Sequence, residues 1–316
     1  MITAIGEILI DYTPKGKSEA GMDLFEQNAG GAPANVLACL SKFGVETAFI
    51  GKVGDDMQGH FLKKTLEDAQ INTNGLIVDK NYFTTLAFVS LSETGERTFA
   101  FARKPGADTM LSKKELNIDI LNKTKIFHFG SLSLTHEPSR EATYTALKIA
   151  KENGSIISYD PNYRAPLWIS EEVAQEQMRL PLNLVDIIKI SDEECELLTG
   201  ETDIFIAAEI LVAKGIKIVV ITLGKDGALV GNKDCAGTIS GFIPNKVADT
   251  TGAGDAFWGG FLYSIYTSGK SLEQITFDEL CKYAKFSNAV ASLCVEIFGA
   301  IKAMPTLEEA KNRANN

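Results

Sequence analysis

A turn with almost no side chains, near the C-terminal end of the sequence, carries one carboxylate. Residues 249–260 read DTTGAGDAFWGG, and Asp255 stands directly ahead of an apolar run. Glycine at positions 252 and 254 permits backbone conformations closed to other residues and lets a ligand approach the main chain. The apolar run predicts a helix. The turn is therefore a helix N-terminus, whose unpaired N–H groups favour an anion such as phosphate.

A carboxylate beside an anion site suits phosphoryl transfer. The N–H groups of Gly252, Ala253 and Gly254 could stabilise charge on a moving phosphoryl group. Asp255 could then accept the proton of the attacking hydroxyl. The local pattern has an alternative interpretation, in which Asp255 only caps the helix and the glycines form a tight turn. A Rossmann fingerprint does not explain the segment, because Phe257 stands where that pattern needs glycine.

Composition and charge argue against several other classes of protein. Apolar residues make up 45% of the chain and charged residues 23%, which is ordinary globular usage, and the formal net charge of -10 gives no support for a nucleic-acid partner. The five cysteines form no C-x-x-C pair, which favours buried thiols in a reducing compartment. No secretory signal or bilayer-length apolar run is evident, so we expect a cytoplasmic protein with no membrane partner.

The elements that must position the turn follow an alternating pattern. Short β-branched runs such as TAFIGKV, KIFHFG, SIISYD and IKIVVITLG alternate with stretches of helical spacing such as APANVLACLSKFG and DIFIAAEILVAKG. This alternation predicts an α/β fold with a mainly parallel sheet covered on both faces. No repeat or linker divides the sequence, so we expect one domain over residues 1–316. The last long helix is expected to end near Gly299.

Two stretches break the alternation. Residues 12–28 are polar and rich in turn formers, and residues 82–103 predict a hairpin around ETGER. An antiparallel piece inserted in a parallel-sheet protein often forms a lid or an interface. The alternative is an edge hairpin with no special role.

Two distant segments resemble one family of kinases. DTTGAGDAFWGGFL resembles the C-terminal signature of the ribokinase-like carbohydrate kinases (the PfkB family), and NAGGAPANVLACLSKFG resembles their N-terminal signature. The intermediate segments GKVGDDMQGHFLKKTLE, SYDPNYR, ISDEECELLTG and ITLGKDGA are also similar. The resemblance implies a three-layer α/β sandwich with a small β-sheet lid, over about 12–28 and 82–103. It also implies ATP, Mg²⁺ and transfer of the γ-phosphoryl group to a primary hydroxyl of a sugar.

Within the family, the similarity is greatest to the fructokinases, on GEILID, NAGGAPANV and TTLAFVSLSETGERTFAFARKPGAD. This implies conversion of fructose to fructose 6-phosphate. A 2-keto-3-deoxygluconate kinase and a ribokinase are alternatives. A non-catalytic sugar- or nucleotide-sensing homologue is an alternative of another class, against which the intact Gly-Ala-Gly-Asp turn argues. The resemblance also allows a homodimer that pairs through the lid, although no residue excludes a monomer.

The resemblance assigns roles to both signatures. Asp255 matches the catalytic base, and the anion hole corresponds to Gly252, Ala253 and Gly254. In the N-terminal segments, the sugar would lie against Asp11, Gly30, Gly31 and Asn35. Asp11 would accept hydrogen bonds from two sugar hydroxyls, and Asn35 offers both a donor and an acceptor. From pattern alone, Asp11 could instead be a solubilising charge at a strand end.

Three further residues are implied near the sugar or the phosphates. Arg103 follows the hairpin, and its planar guanidinium suits an anionic product, although a solvated lid charge is the alternative. Asp160 lies in DPNYR, where Asp-Pro and Asn also build turns, so a purely structural role stays open. Arg164 is the better functional candidate of this segment.

Metal association is implied at two places. The family's N-x-x-E element, which associates with Mg²⁺ through water, aligns with residues 191–194, where Ser191 replaces asparagine. Glu194 is then the metal-associated carboxylate, with Glu193 as the alternative. Backbone oxygens of Asp249 and Thr251, with the loop 295–300, could hold K⁺.

The nucleotide is implied to lie against TLGKDGA and the late helix. Thr222, Gly224 and Gly227 match the nucleotide-binding strand and turn. Lys225 would lie near the phosphates unless it is simply solvated. Asn288 matches a residue that lines the adenine pocket.

Overall fold

The computed structural model describes residues 1–91 and 97–315. Within them the chain alternates between strands and helices, as the sequence predicts. The strands are β1 (Ile2–Ile5), β2 (Leu9–Lys17), β3 (Asp23–Gly30), β4 (Thr47–Gly54), β5 (Asn72–Asp79), β6 (Leu86–Leu91), β7 (Arg97–Ala102), β8 (Ile126–Gly130), β9 (Ile156–Asp160), β10 (Ile187–Ser191), β11 (Ile218–Thr222), β12 (Gly227–Gly231) and β13 (Ala236–Ser240).

Nine of these strands form the central sheet, in the order β13-β12-β11-β10-β9-β8-β1-β4-β5. The pairings from β11 through β5 are parallel, whereas β12 and β13 add an antiparallel edge. The parallel strands are buried on both faces, which explains why they read as continuous apolar runs. The fold is therefore the mainly parallel α/β fold that the sequence predicts.

Helices cover both faces of this sheet and complete three layers. They are α1 (Ala32–Lys42), α2 (Met57–Asp68), α3 (Ile118–Lys123), α4 (Ser139–Glu152), α5 (Glu171–Arg179), α6 (Cys195–Thr199), α7 (Ile204–Ala213), α8 (Ala253–Ser268), α9 (Phe277–Cys294) and α10 (Leu307–Asn315). One buried cluster joins the sheet to α1, α2, α8, α9 and α10, and a second cluster joins its other face to α3–α7.

A second, four-stranded sheet has the order β3-β2-β6-β7. The segments 12–28 and 82–103 supply most of it. The β2–β3 and β6–β7 pairs are antiparallel, but β2 and β6 run parallel. The hairpin predicted around ETGER is present as the β6–β7 pair, and its turn lies outside the described residues.

One boundary differs from the sequence-based expectation. Helix α9 ends at Cys294, not near Gly299. The next residues leave helical geometry because Val295 accepts backbone hydrogen bonds from Ala248 and Asp249, and the Gly299 N–H donates to Asp249 Oδ2 at 3.1 Å. This unwound segment reaches the cavity described below. Within the described ranges, every helix is too short or too polar to cross a bilayer.

Candidate active site

A cavity of about 390 Å³ opens at the carboxyl ends of the parallel strands. It lies where the strand order reverses direction, since β1 is followed by β4 and β5 on one side and neighbours β8 on the other. Such switch points are the usual ligand sites of open α/β sheets. The lining comes from the second sheet, from loops after several strands and from the start of α8.

The glycine turn forms one wall of this cavity. Gly252 precedes helix α8 in a left-handed conformation with φ 79°, and an added Cβ would lie 2.8 Å from Ala300 Cβ. Gly254 also lines the cavity, whereas the Ala253 N–H donates to Thr250 O at 3.3 Å. Gly252 and Gly254 thus bring main chain to the cavity wall, whereas the Ala253 N–H, which the resemblance assigns to the anion hole, is used within the turn.

Asp255 lies in the first turn of α8 and faces the same cavity. Its Oδ2 accepts a hydrogen bond of 2.8 Å from Asn35 Nδ2 on helix α1. Burial raises the pKa of Asp255 to about 6, although the cation of Lys189 and the Asn35 hydrogen bond act in the opposite direction. A carboxylate with this pKa is ionised near neutral pH and still basic enough to take up a proton.

Lys189 is a site residue that the sequence analysis missed. It lies on β10, is only 6% exposed, and its Nζ lies 2.8 Å from Asp160 Oδ2. A Cβ added at Gly254 would lie 3.0 Å from the same Nζ. Burial alone would lower the pKa of Lys189, but the surrounding carboxylates, Asp160 foremost, raise it, so the group is a cation beside the glycine turn. A lysine inside the apolar run VDIIKIS was the signal available in the sequence.

Asp160 and Glu194 are buried carboxylates whose negative charges act on Lys189. Asp160 is buried and its Oδ1 has no partner among the described residues. Glu194 accepts hydrogen bonds from the Tyr163 N–H at 2.6 Å and the Ser191 N–H at 2.8 Å, one on each oxygen. Burial and the nearby Asp160 raise the pKa of Glu194. Neither carboxylate is among the residues that line the cavity.

The second sheet contributes the opposite wall. Asp11 on β2 lines the cavity, and burial raises its pKa to about 6 while Arg164 lowers it. A side chain at Gly30 would overlap Asp11 Oδ2, and one at Gly31, where φ is 122°, would lie 2.5 Å from Glu7 O. Gly30 therefore leaves room for the Asp11 carboxylate, and Gly31 leaves room for the backbone of Glu7.

The two predicted arginines lie in different environments. Arg103 is buried, and its guanidinium donates to Asp108 Oδ2 at 2.8 Å, to Thr135 Oγ1 at 3.0 Å and to Leu132 O at 3.0 Å. Its side chain is held inside the protein and is not among the residues that line the cavity. Arg164 does line the cavity and is exposed.

The residues expected at the nucleotide are more dispersed. Thr222 lines the cavity, and Lys225 is exposed on the turn beyond it. Gly224 and Gly227 both have positive φ, and a side chain at Gly227 would overlap Ile239 O, so strand pairing alone explains that glycine. Asn288 is buried, and its Nδ2 donates to the carbonyls of residues 239 and 240, which joins α9 to β13.

The loop 295–300 lies beside the Asp249–Thr251 segment, as expected. Asp249 Oδ1 accepts from the Thr251 N–H at 2.9 Å and from its Oγ1 at 2.7 Å. Asp249 Oδ2 accepts from the Gly299 N–H. The carboxylate thus folds the segment onto the loop, and Asp249, Thr251 and Gly299 all line the cavity.

Glu7 is a second residue that the sequence analysis missed. It follows β1, lines the cavity and is 4% exposed. Its Oε1 accepts the N–H of Ala32, the first residue of α1, at 3.1 Å. Burial raises the pKa of Glu7 to about 7.

The chain is similar over nearly its whole length to several fructokinases. Probable fructokinase-5 of Arabidopsis thaliana is 42% identical over 314 residues, covering 98% of this chain and 96% of the relative. Fructokinase-2 of Oryza sativa subsp. japonica is 41% identical over 98% of this chain and 93% of its own length. Among solved structures, the Xylella fastidiosa fructokinase with bound ATP has a TM-score of 0.91 and 30% identity over 99% of this chain and 98% of that one.

A second solved structure contains both a sugar and a nucleotide. The Vibrio cholerae O395 fructokinase in its fructose, ADP and calcium ion bound form has a TM-score of 0.88 and 32% identity over 99% of both chains. The family profile described as pfkB family carbohydrate kinase matches residues 1–307. The chain belongs to the pfkB family of carbohydrate kinases.

Proposed function

We propose that this protein is a fructokinase, which transfers the γ-phosphoryl group of ATP to a primary hydroxyl of fructose and yields fructose 6-phosphate. The observation that carries this proposal is the pairing of Asp255 with an open helix start in a cavity that Asp11 also lines. The fructokinase relatives, similar over nearly the whole chain, support fructose as the acceptor.

In this proposal, different residues of the cavity deprotonate the sugar, stabilise the transferred phosphoryl group and bind the acceptor. Asp255 takes the proton of the sugar hydroxyl, whose oxygen forms the new bond to the γ-phosphorus as the bond to the bridging oxygen of the leaving ADP breaks. The α8 start, at Gly252 and Gly254, and the Lys189 ammonium face the charge that develops on the transferred group. Asp11 accepts hydrogen bonds from sugar hydroxyls and holds the acceptor in place.

Arg164 and the residues near β11 are proposed to contact the phosphates and the nucleotide. Arg164 is placed to meet the phosphates or the product, because it is exposed on the cavity wall. Thr222, with the turn at Gly224 and Lys225, lies on the side where the nucleotide would bind. Asn288 and Gly227 would support that side through the packing of α9 against β13.

Mg²⁺ is the proposed metal ion of the reaction. The described residues hold no group of three or more His, Cys, Asp or Glu side chains that could bind a metal ion. Mg²⁺ keeps several waters and binds substrate phosphates, and we propose that Glu194 associates with it through water. When bound, the ion would neutralise phosphate charge. Backbone carbonyls of Asp249 and Thr251, beside the loop 295–300, are the proposed site for K⁺.

A coupled assay with the purified protein, ATP and Mg²⁺ tests the function. Fructose, ribose and 2-keto-3-deoxygluconate would be compared side by side, and we expect the highest kcat/KM for fructose. Preference for either of the other two sugars would overturn the fructokinase proposal and leave a sugar kinase. Saturable sugar binding without turnover would instead identify a sensing homologue.

We also propose that the chain is a single kinase domain over residues 1–316, with the four-stranded sheet as its lid, and that two copies pair through that lid. The outer face of the sheet carries Tyr12 stacked on Phe88, with Phe25 against Phe88 edge-on, and Phe25 and Phe88 are 48% and 40% exposed. Light scattering after size exclusion tests the pairing. We expect a dimer that Phe25→Lys dissociates, and a parent monomer would contradict it.

A further inference from the structure

A lysine of the second sheet contacts the loop 295–300. The Nζ of Lys15 lies 5.5 Å from the centroid of the Phe298 ring, which is within the range of a cation–π contact. Lys15 follows Asp11 and Thr13 at two-residue spacing on β2, and alternate residues of a strand share a face. Asp11 and Thr13 line the cavity, whereas Lys15 and Phe298 are not among its lining residues. The contact therefore lies beside the cavity and not in it.

The residue after Phe298 connects this contact to the glycine turn. Gly299 lines the cavity, and its N–H donates to Asp249 Oδ2 at 3.1 Å. Asp249 Oδ1 accepts from the Thr251 N–H at 2.9 Å and from the Thr251 Oγ1 at 2.7 Å. Thr251 directly precedes Gly252 in the sequence. A continuous series of contacts thus runs from β2, through the loop, to the start of helix α8.

Packing gives the loop a second contact with the turn. Ala300, two residues after Phe298, is buried and lines the cavity. A Cβ added at Gly252 would lie 2.8 Å from Ala300 Cβ, so the loop and the turn approach each other closely. Because closely packed groups transmit displacements, the position of the loop affects the position of Gly252.

Lys17, on the same strand, is an internal comparison for Lys15. Both lysines are exposed and pair across β2 and β3, Lys15 with Glu26 at 3.0 Å and Lys17 with Asp23 at 2.7 Å. Among the described residues, the ring contact belongs to Lys15 and not to Lys17. Exposed ion pairs contribute little to stability, so loss of either lysine should have a similarly small effect on the sheet. A difference between the two variants then reports the ring contact.

We propose that Lys15 and Phe298 are positioning residues, which hold the loop 295–300 against β2 and so keep the glycine turn aligned for phosphoryl transfer from ATP. This inference rests on the proposed kinase function and deepens it. It gives the second sheet a role on the phosphate side of the cavity, in addition to the sugar binding proposed for Asp11.

Lys15→Met and Phe298→Leu test the contact, and Lys17→Met is the matched control. At saturating sugar, we expect kcat/KM for ATP to fall about two- to fivefold in each of the first two variants, the change that an exposed cation–π contact supplies. The double variant Lys15→Met, Phe298→Leu should lose no more than either single variant, because both substitutions remove the same contact. Lys17→Met should keep the parent value.

Further measurements distinguish positioning from general destabilisation. Lys15→Arg and Phe298→Tyr keep a cation and a ring, so each should retain the parent kcat/KM for ATP. Fructose binding without nucleotide, measured by calorimetry, and the thermal midpoint should be the same in Lys15→Met and Lys17→Met. Phe298→Leu changes no charge, so an equal loss in that variant excludes a purely electrostatic effect of Lys15 on ATP.

Two results would overturn the inference. The first is a parent value of kcat/KM for ATP in Lys15→Met. The second is a pair of losses that add in the double variant, since Lys15 and Phe298 would then act on ATP independently.

Failure of the proposed function would look different. The assay uses whichever sugar the parent protein phosphorylates best, so a preference for ribose contradicts the fructokinase proposal and leaves this test intact. If the parent protein has no turnover, the Kd for ATP measured by calorimetry replaces kcat/KM, and it should rise by the same factor of about two to five in Lys15→Met. A parent Kd in that variant would again overturn the inference.

Discussion

Asn35 Nδ2 donates a hydrogen bond to Asp255 Oδ2 at 2.8 Å, across 220 positions of sequence. This contact ties the start of helix α1 to the start of helix α8, and so joins the N-terminal and C-terminal signature segments. It also orients the carboxylate and favours its ionised form. The proposed base is thus held by a residue that the sequence assigned only to the sugar.

Asp255→Asn tests the proposed base. The amide keeps the shape of the side chain but cannot accept the hydroxyl proton, so we expect kcat to fall by about 10²–10⁴-fold. Fructose binding measured by calorimetry should stay close to that of the parent. A variant that turns over at the parent rate would show that another group takes the proton.

The pH profile of kcat/KM for fructose should lose activity on the acid side. Asp255 and Asp11 each have a pKa near 6 in the free protein, and each is needed in its ionised form. Activity should therefore be present above this value and fall as the pH drops through 6. Because two groups take up protons, the acid limb should be steeper than the limb of a single protonation. Asp11→Asn should reduce its slope to that of one proton. An acid limb below pH 4 in the parent would contradict these assignments.

Lys189→Met should affect both rate and pH dependence. Loss of the ammonium removes a charge beside the α8 start, for which we expect a decrease in kcat of about 10²-fold. It also removes a cation that lowers the pKa of Asp255, so the acid limb should move to higher pH. Lys217→Met, which loses an exposed pair with Glu273, is the control and should keep the parent profile. An unmoved limb with a parent kcat would remove Lys189 from the mechanism.

Gly30→Ala should weaken sugar binding through Asp11. The new methyl group would overlap Asp11 Oδ2 and displace that carboxylate. We expect KM for fructose to rise at least tenfold, the loss of about one charge-assisted hydrogen bond. Gly231→Ala is the control, since its added Cβ meets its nearest atom, Ala236 Cβ, at 3.4 Å. Equal KM values for fructose in both variants would show that Gly30 has no role in sugar binding.

Arg103→Met should act on stability, in contrast to the sugar or phosphate contact that the resemblance implies. The substitution leaves Asp108 buried without its ion-pair partner, which costs about 3–5 kcal/mol. Denaturant unfolding should show this loss, and the double variant Arg103→Met, Asp108→Leu should recover much of it. A variant of parent stability with a large rise in KM would instead place Arg103 at the substrate.

The sequence predicted the sheet and its helices well because each parallel strand is a continuous apolar run between turn residues. Strand β10 shows the limit of this approach: Lys189 interrupts such a run, and only the fold reveals that Asp160 and Asp255 surround it. The end of α9 was misplaced for a similar reason. The helical pattern continues beyond Cys294, but the helix ends there because the Val295 carbonyl accepts hydrogen bonds from the N–H groups of Ala248 and Asp249.

The site was predicted better where a residue type is rare than where partners decide its role. The Gly-Ala-Gly-Asp turn lies at the cavity, with Gly252, Gly254 and Asp255 among the lining residues. Arg103 was expected near substrate, but Asp108, five residues away, takes its guanidinium. Glu7 drew no attention in an apolar stretch, since its position at the cavity is visible only in three dimensions.

Strand β2 passes from the interior of the molecule into the four-stranded sheet, with Ile10 fully buried and Asp11 next to it at the cavity. Asp11 and Asp255, the carboxylates proposed to hold the acceptor and to take its proton, therefore belong to separate layers. Only an alcohol that spans both layers brings the two into register. A water molecule cannot span both layers, so we expect this arrangement to keep wasteful hydrolysis of ATP slow.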